Sequence, residues 1–89
     1  MKSEKDIQTA VIHHAKSLGC VSLSLKDRSM PDRCFIKDGK MLFIEFKAPG
    51  KKPRKSQLFM FKKLEGKGHK VHVIDDAFEG INLLDGVFK

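Results

Sequence analysis

The sequence predicts an α/β fold: a mixed β-sheet of about four strands flanked by helices, in the order αβββαβ and closed by a short C-terminal helix. Three observations carry that prediction. Residues 3–18 repeat apolar side chains at helical spacing, Asp38-Gly39 separates two short apolar runs, and a second helical pattern at 54–65 precedes an alternating run at 70–74. A hairpin makes its two strands antiparallel, whereas a strand, a helix and a further strand form a crossover that sets its strands parallel. The sheet is therefore mixed.

The elements follow in order. In the first helix Ile7, Ala10, Val11, Ala15 and Leu18 share a face, with Ser3 placed to cap its start and Gly19 to end it. Residues 20–26 alternate, Val21, Leu23 and Leu25 against Ser22 and Ser24, as a half-buried strand does. A polar loop, Lys26 to Ser29, leads to Pro31, which marks a strand entrance because it biases the residue before it away from helix and donates nothing to a ladder. Strands at 33–37 and 41–46 then flank Asp38-Gly39, the strongest short-range hairpin signal. Two prolines and a glycine keep residues 48–53 irregular and cationic. In the helix at 54–65, Leu58, Phe61 and Leu64 are expected to face inward, with Lys62 and Lys63 outward. A strand at 70–74 and a short helix at 77–84 complete the fold, leaving Val87-Phe88 as an apolar tail.

Chemistry concentrates in residues 31–47. Strand side chains alternate, so Leu42, Ile44 and Phe46 face one way while Met41, Phe43, Glu45 and Lys47 face the other. A carboxylate between Ile44 and Phe46 is costly to desolvate unless a positive group meets it. Asp32, at the far end of the partner strand, is within reach across the ladder. Two carboxylates and a lysine on one face suit a divalent cation and a phosphate. The competing readings are structural: a surface ion pair for Glu45 with Lys47, and a turn aspartate for Asp32.

Pro31-Asp32 followed by Glu45-Phe46-Lys47 on the next strand resembles the PD-(D/E)xK signature of the restriction-endonuclease-like nucleases. With Glu4 in the first helix and Gln57 in the helix after the signature, residues 3–75 more closely resemble the small stand-alone VRR-NUC domains of phages. One departure stands out. The Gly often found before Pro-Asp is absent, and Arg33 occupies the place of the apolar residue often found after it.

The resemblance implies a restriction-endonuclease-like domain spanning residues 1–89 and a metal-dependent DNA endonuclease. It implies Mg²⁺ or Mn²⁺ held by Asp32, Glu45 and the backbone carbonyl of Phe46, with Glu4 holding a metal-bound water or a second ion. Such an ion makes a nucleophilic water at neutral pH and stabilises phosphoryl charge. Lys47 then contacts the scissile phosphate, orients the attacking water or acts as a base, and the sequence does not choose among these roles. By the same analogy Gln57 positions phosphate or water. Lys26, Arg28, Lys51, Lys52, Arg54 and Lys55 grip the DNA backbone. On residues alone, Glu4 reads equally as a good helix start, and Gln57 as an exposed helix residue.

Composition agrees with a polyanion as partner. Eighteen Lys and Arg against eleven Asp and Glu give +7, and residues 47–70 hold nine basic side chains with one acid, Glu65. Such a cluster binds phosphates with a strong salt dependence. Cys20 and Cys34 fit reduced thiols rather than a thiol metal site, and no signal peptide or transmembrane run is present, so the protein is expected in the cytoplasm. There is no Trp or Tyr for a single-strand stacking platform, and no small-molecule cofactor is called for. The expected substrate is branched duplex DNA such as a Holliday junction, in phage replication, recombination or repair. A homodimer, formed in part by the apolar tail, would present two equivalent sites to it. The alternatives are a catalytically inactive, basic nucleic-acid-binding module of the same fold and an accessory protein contacting a replication or repair partner.

Overall fold

The computed structural model describes residues 3–89. In chain order it comprises α1 (Glu4–Ser17), β1 (Val21–Ser24), β2 (Arg33–Lys37), β3 (Lys40–Phe46), α2 (Lys55–Gly66), β4 (Val71–Ile74) and α3 (Ala77–Phe88). The strands form one sheet in the order β1-β2-β3-β4. β1 pairs antiparallel with β2, β2 antiparallel with β3, and β3 parallel with β4.

Local chemistry accounts for each junction. The Ser3 hydroxyl accepts from the Asp6 N–H at 3.1 Å while the Asp6 carboxylate accepts from the Ser3 N–H at 3.1 Å, so two orphan donors of α1 are satisfied reciprocally. At the β2–β3 turn Asp38 and Gly39 both have positive φ, 51° and 77°, the backbone of the tight hairpin turn whose twist matches its strands. That turn pairs Lys37 with Lys40 and fixes the register, which sets Arg33 opposite Ile44.

The two faces of the sheet are covered unequally. α1 and α3 pack on one face, where Ile7, Val11 and Ala15 meet Phe35, Leu42, Ile44, Phe46 and Ile74, with Leu84 and Phe88 beside them. On the other face α2 supplies Phe61 to a smaller cluster with Cys34, Phe43 and Val71. The alternation in β3 is as expected: Leu42, Ile44 and Phe46 enter the first cluster and Phe43 the second.

Three expectations are corrected. β1 is not half-buried along its apolar side, since Val21 is 57% and Leu23 45% exposed. They share a sheet face with Cys34 and Phe43, but β1 is an edge strand and α2 packs toward β4, leaving that end of the face open. In α2 the buried positions are Gln57 and Phe61, while Leu58 is 47% exposed. The last apolar residues are not a free tail either. α3 continues to Phe88, and the spacing Ala77, Gly80, Leu84, Phe88 returns Phe88 to the core at 5% exposure. The Lys37 and Lys40 ammonium groups donate to the Phe88 and Val87 carbonyls at 3.2 and 3.1 Å, where a helix C-terminus favours cations. The proposed use of this tail in a dimer is thereby removed.

α1 and α3 are joined at their surface by His14 Nε2 and the Asp85 carboxylate, 2.7 Å apart, and this contact holds the Asp85 carboxyl below its usual range. Among the described residues no helix is long and apolar enough to cross a membrane.

At Gly80, α3 packs tightly against α1. A Cβ there would stand 2.6 Å from Cγ2 of Val11 and 3.2 Å from Cγ2 of Ile74, both buried and both on branched side chains with little rotamer freedom. Alanine is a better helix former than glycine by about 1 kcal/mol, but overpacking a filled core costs about 1–3 kcal/mol. Gly80→Ala is therefore expected to lower the thermal midpoint by a few degrees, read by circular dichroism; an unchanged or raised midpoint would show that this contact is not tight.

Candidate active site

The site is built where the start of β2, the end of β3 and the start of α2 meet. Pro31 delivers the chain to β2, and Asp32 follows it just outside the strand, with its carbonyl accepting from the Leu25 N–H at 2.9 Å. Glu45 is the penultimate residue of β3 and faces α2, at 2% exposure.

Asp32 and Glu45 hold one another through the backbone. The Asp32 N–H donates to Glu45 Oε1 at 3.1 Å, and Asp32 Oδ2 accepts from the Phe46 N–H at 2.8 Å. A strand residue directs its N–H and C=O toward the same edge. The Phe46 carbonyl thus lies on the edge that Asp32 occupies, whereas the next N–H, that of Lys47, turns to β4 and donates to the Ile74 carbonyl at 3.0 Å.

Lys47 and Gln57 complete the cluster. Lys47 Nζ stands 3.0 Å from Glu45 Oε2 and donates to Gln57 Oε1 at 3.3 Å. Gln57 Nε2 donates to Glu45 Oε2 at 2.8 Å, and Gln57 Oε1 also accepts from the Arg54 N–H at 3.0 Å. Gln57 thus caps the first turn of α2 and clamps the Glu45–Lys47 pair with the same amide. This explains its inward position: its rotation onto the sheet is set by polar partners on β3, and Leu58 is turned out as a result.

Burial pushes the Glu45 carboxyl above its ordinary pKa; the Lys47 hydrogen bond opposes this, the nearby Asp32 carboxylate adds to it, and Gln57 again lowers it. Desolvation wins over the partners present. A carboxylate held this way gains from any further positive charge placed beside it.

The donor set suits a hard cation. It consists of oxygen alone, two carboxylates and a backbone carbonyl, and magnesium is ordinarily held by one or two carboxylates with water and phosphate completing its shell. Among the described residues no group of three or more His, Cys, Asp or Glu side chains is placed to hold an ion together. Glu4 thus does not join Asp32 and Glu45 as a third direct ligand. It sits exposed in the first turn of α1, where a carboxylate favours the helix dipole.

The basic residues expected to grip a polyanion are all on the surface. Lys26, Arg28, Lys51, Lys52, Arg54 and Lys55 are exposed, and Arg54 Nη2 approaches the Arg28 carbonyl at 3.4 Å, linking the two loops beside the cluster. Asp75 was not among the expected site residues, yet its Oδ2 accepts from the Gly50 N–H at 3.2 Å and anchors the lysine loop to the end of β4. No sequence signal marks that contact, because an aspartate after a strand is common. Arg33 lies on the opposite face. Its Nη1 donates to the Ser22 hydroxyl at 3.2 Å, and its buried Nε has no partner among the described residues.

A curated relative named "Putative nuclease p44", from Acyrthosiphon pisum secondary endosymbiont phage 1, is 34% identical over 76 residues, 81% of this chain and 82% of the relative. The chain belongs to the same family as this putative phage nuclease. A solved structure described as a VRR_NUC domain superposes with a TM-score of 0.79 over 99% of this chain and 100% of that one, at 21% identity, and shows the shared fold. No protein-family profile matches the sequence. In this chain the α/β order seen from the sequence is the order observed.

The raised Glu45 value has a measurable consequence without metal. As pH rises from below the ordinary carboxylate range, the unfolded chain loses the Glu45 proton first. The native state then binds more protons than the unfolded one, so stability falls until the raised folded-state value is passed. Glu45→Gln removes that contribution. Urea unfolding in chelator should show the wild type losing stability relative to Glu45→Gln across this window, and a difference independent of pH would contradict the assignment.

Proposed function

We propose that this protein is a Mg²⁺- or Mn²⁺-dependent DNA endonuclease that hydrolyses phosphodiester bonds. The observation that carries the reading is the interlocked Asp32–Glu45 pair, Glu45 buried and Asp32 half-buried, with Lys47 on the same face as Glu45. It lies beside loops carrying Arg28, Arg54, Lys51 and Lys52. A structural ion pair has no need of a second carboxylate, and a basic binding surface has no need of either.

Asp32, Glu45 and the Phe46 carbonyl would hold the cation. When bound, such an ion supplies a strong nucleophile at neutral pH and neutralises charge on the phosphoryl oxygens. The chain's own residues do the rest. Lys47, already poised at Glu45, is close enough to the carboxylate pair to meet a phosphate brought there, with its ammonium as a compact point charge. Gln57 keeps Glu45 and Lys47 in register with the start of α2. Gln57 therefore acts here as a positioning residue, its amide already committed to protein partners. The exposed cations bind the phosphate backbone on either side.

The proposed substrate is branched duplex DNA such as a Holliday junction, in phage replication, recombination or repair, cut by a homodimer with two equivalent sites. The open end of the sheet supports self-association. Val21, Leu23 and Met41 are exposed together on the face that α2 leaves uncovered, with the unpaired edge of β1 beside them. Such an edge, lacking proline or charge within the strand, is a ready template for pairing.

Lys47→Ala should lower Mg²⁺- or Mn²⁺-dependent cleavage by at least about 100-fold, while binding to the same DNA in chelator changes little because the loops are intact. A variant cutting at the normal rate would remove the mechanism. The wild type, incubated with four-way junction, flap, nicked, linear and single-stranded DNA, should give products only with the metals and most readily from the junction. Binding without products under all conditions would favour an inactive module. Replacing Lys51 and Lys52 with Ala should reduce the salt dependence of binding, with the log–log slope falling by about 0.9 for each phosphate that is no longer neutralised.

A further inference from the structure

Beside the carboxylate cluster lies a cleft of about 460 Å³ lined by Lys51, Lys52, Pro53, Leu58, Val73 and Asp75. This is within the range of roughly 300–1,000 Å³ typical of small-ligand sites. Its place follows from register. Val73 pairs with Glu45 across the parallel β3–β4 ladder, and Leu58 follows Gln57, which is bonded to Glu45. The cleft therefore opens one strand away from the proposed metal site, and neighbouring strands are about 4.8 Å apart.

Its chemistry is divided. Leu58 and Val73 are exposed aliphatic side chains, 47% and 38%, and with Pro53 they give the cleft an apolar floor. Lys51 and Lys52 stand at its rim as cations. Asp75 adds a carboxylate of which one oxygen, Oδ2, is occupied by the Gly50 N–H, while the other enters no hydrogen bond among the described residues. A flat apolar ring carrying hydrogen-bond donors and joined to a phosphate satisfies all three features at once.

We propose that this cleft is a base-binding subsite, holding the unpaired base of the nucleotide next to the scissile phosphate. Extruded bases are held between apolar side chains and read at their polar edge. The aliphatic floor covers the ring, Lys51 and Lys52 meet the flanking phosphate, and Asp75 accepts from an exocyclic amine, as carboxylates do from cytosine N4. Bases bearing an amine are favoured over thymine. Base pairs flanking a branch point lack a continuous stacking neighbour and open more readily than those within continuous duplex, so the subsite also gives the enzyme a physical reason to select branched DNA. The inference rests on the nuclease reading for the identity of the neighbouring phosphate.

The test has two arms. In chelator, the full-length protein is titrated with dCMP, dTMP and deoxyribose 5-phosphate while backbone amide resonances are followed. The cleft predicts shifts at Leu58 and Val73 with dCMP, weaker ones with dTMP, and none there with deoxyribose phosphate. Leu58→Ser should abolish the shift at Val73, and Asp75→Asn should remove the preference for dCMP. Equal shifts with the sugar phosphate, or none with dCMP, would overturn the subsite. In the second arm, junctions with one abasic position stepped through the cut should lose about tenfold in affinity at a single position next to it, and Leu58→Ser should flatten that profile. A uniform profile in the wild type would also overturn it. Failure of every DNA to be cleaved would instead remove the nuclease reading, and the titration in chelator would still decide the cleft.

Discussion

The buried carboxylate of Glu45 is the constraint on which the rest of the structure depends. A carboxylate at 2% exposure is tolerated only where hydrogen bonds and charge replace its lost water. Its partners come from three places in the chain: the Asp32 N–H ahead of β2, the Gln57 amide in α2 and the Lys47 ammonium at the end of β3. Each must arrive together with the others. The hairpin register brings Asp32 alongside, and the crossover through α2 brings Gln57 down onto the sheet. A slip of one residue in β3 would turn Glu45 toward Ile7 and Phe35 in the apolar core, where nothing neutralises it.

The sheet divides stability from chemistry. The face under α1 and α3 is filled with branched and aromatic side chains, down to a Gly80 that leaves no room for a methyl group. The other face is only partly covered, and the polar cluster and the cleft lie on that side. The lysine loop between β3 and α2 is fastened in its middle, Gly50 to Asp75, and at its end, the Arg54 N–H to Gln57. Gln57 belongs to both systems, which makes the start of α2 the joint between the lysine loop and the acidic centre.

What could be read from the sequence was set by short-range geometry. Asp38-Gly39 and a period of two place Glu45 and Lys47 on one face without any tertiary information, and Pro31 locates Asp32 at the mouth of the adjoining strand. Features that depend on what lies across the sheet were not legible. Whether Leu58 or Gln57 turns inward depends on Glu45, twelve residues from Gln57, so hydrophobicity alone chose the wrong side. The exposure of Val21 and Leu23 depends on how far α2 reaches, which β1 does not encode. Phe88 looked like a tail because Gly86 and the chain end weaken the helical pattern, but Gly80 and Leu84 carry it through. Glu4 was suggested by resemblance alone, and the fold leaves it at a helix start.

The proposed mechanism rests on Asp32 and Glu45 sharing one cation with Lys47 alongside. Anomalous diffraction from crystals grown with Mn²⁺ tests this most directly. It should show one strong peak bridging the two carboxylates and within ligand distance, about 2 Å, of the Phe46 carbonyl, with Glu45→Gln erasing it. A peak elsewhere, or none between those side chains at saturating Mn²⁺, would contradict the shared-cation site.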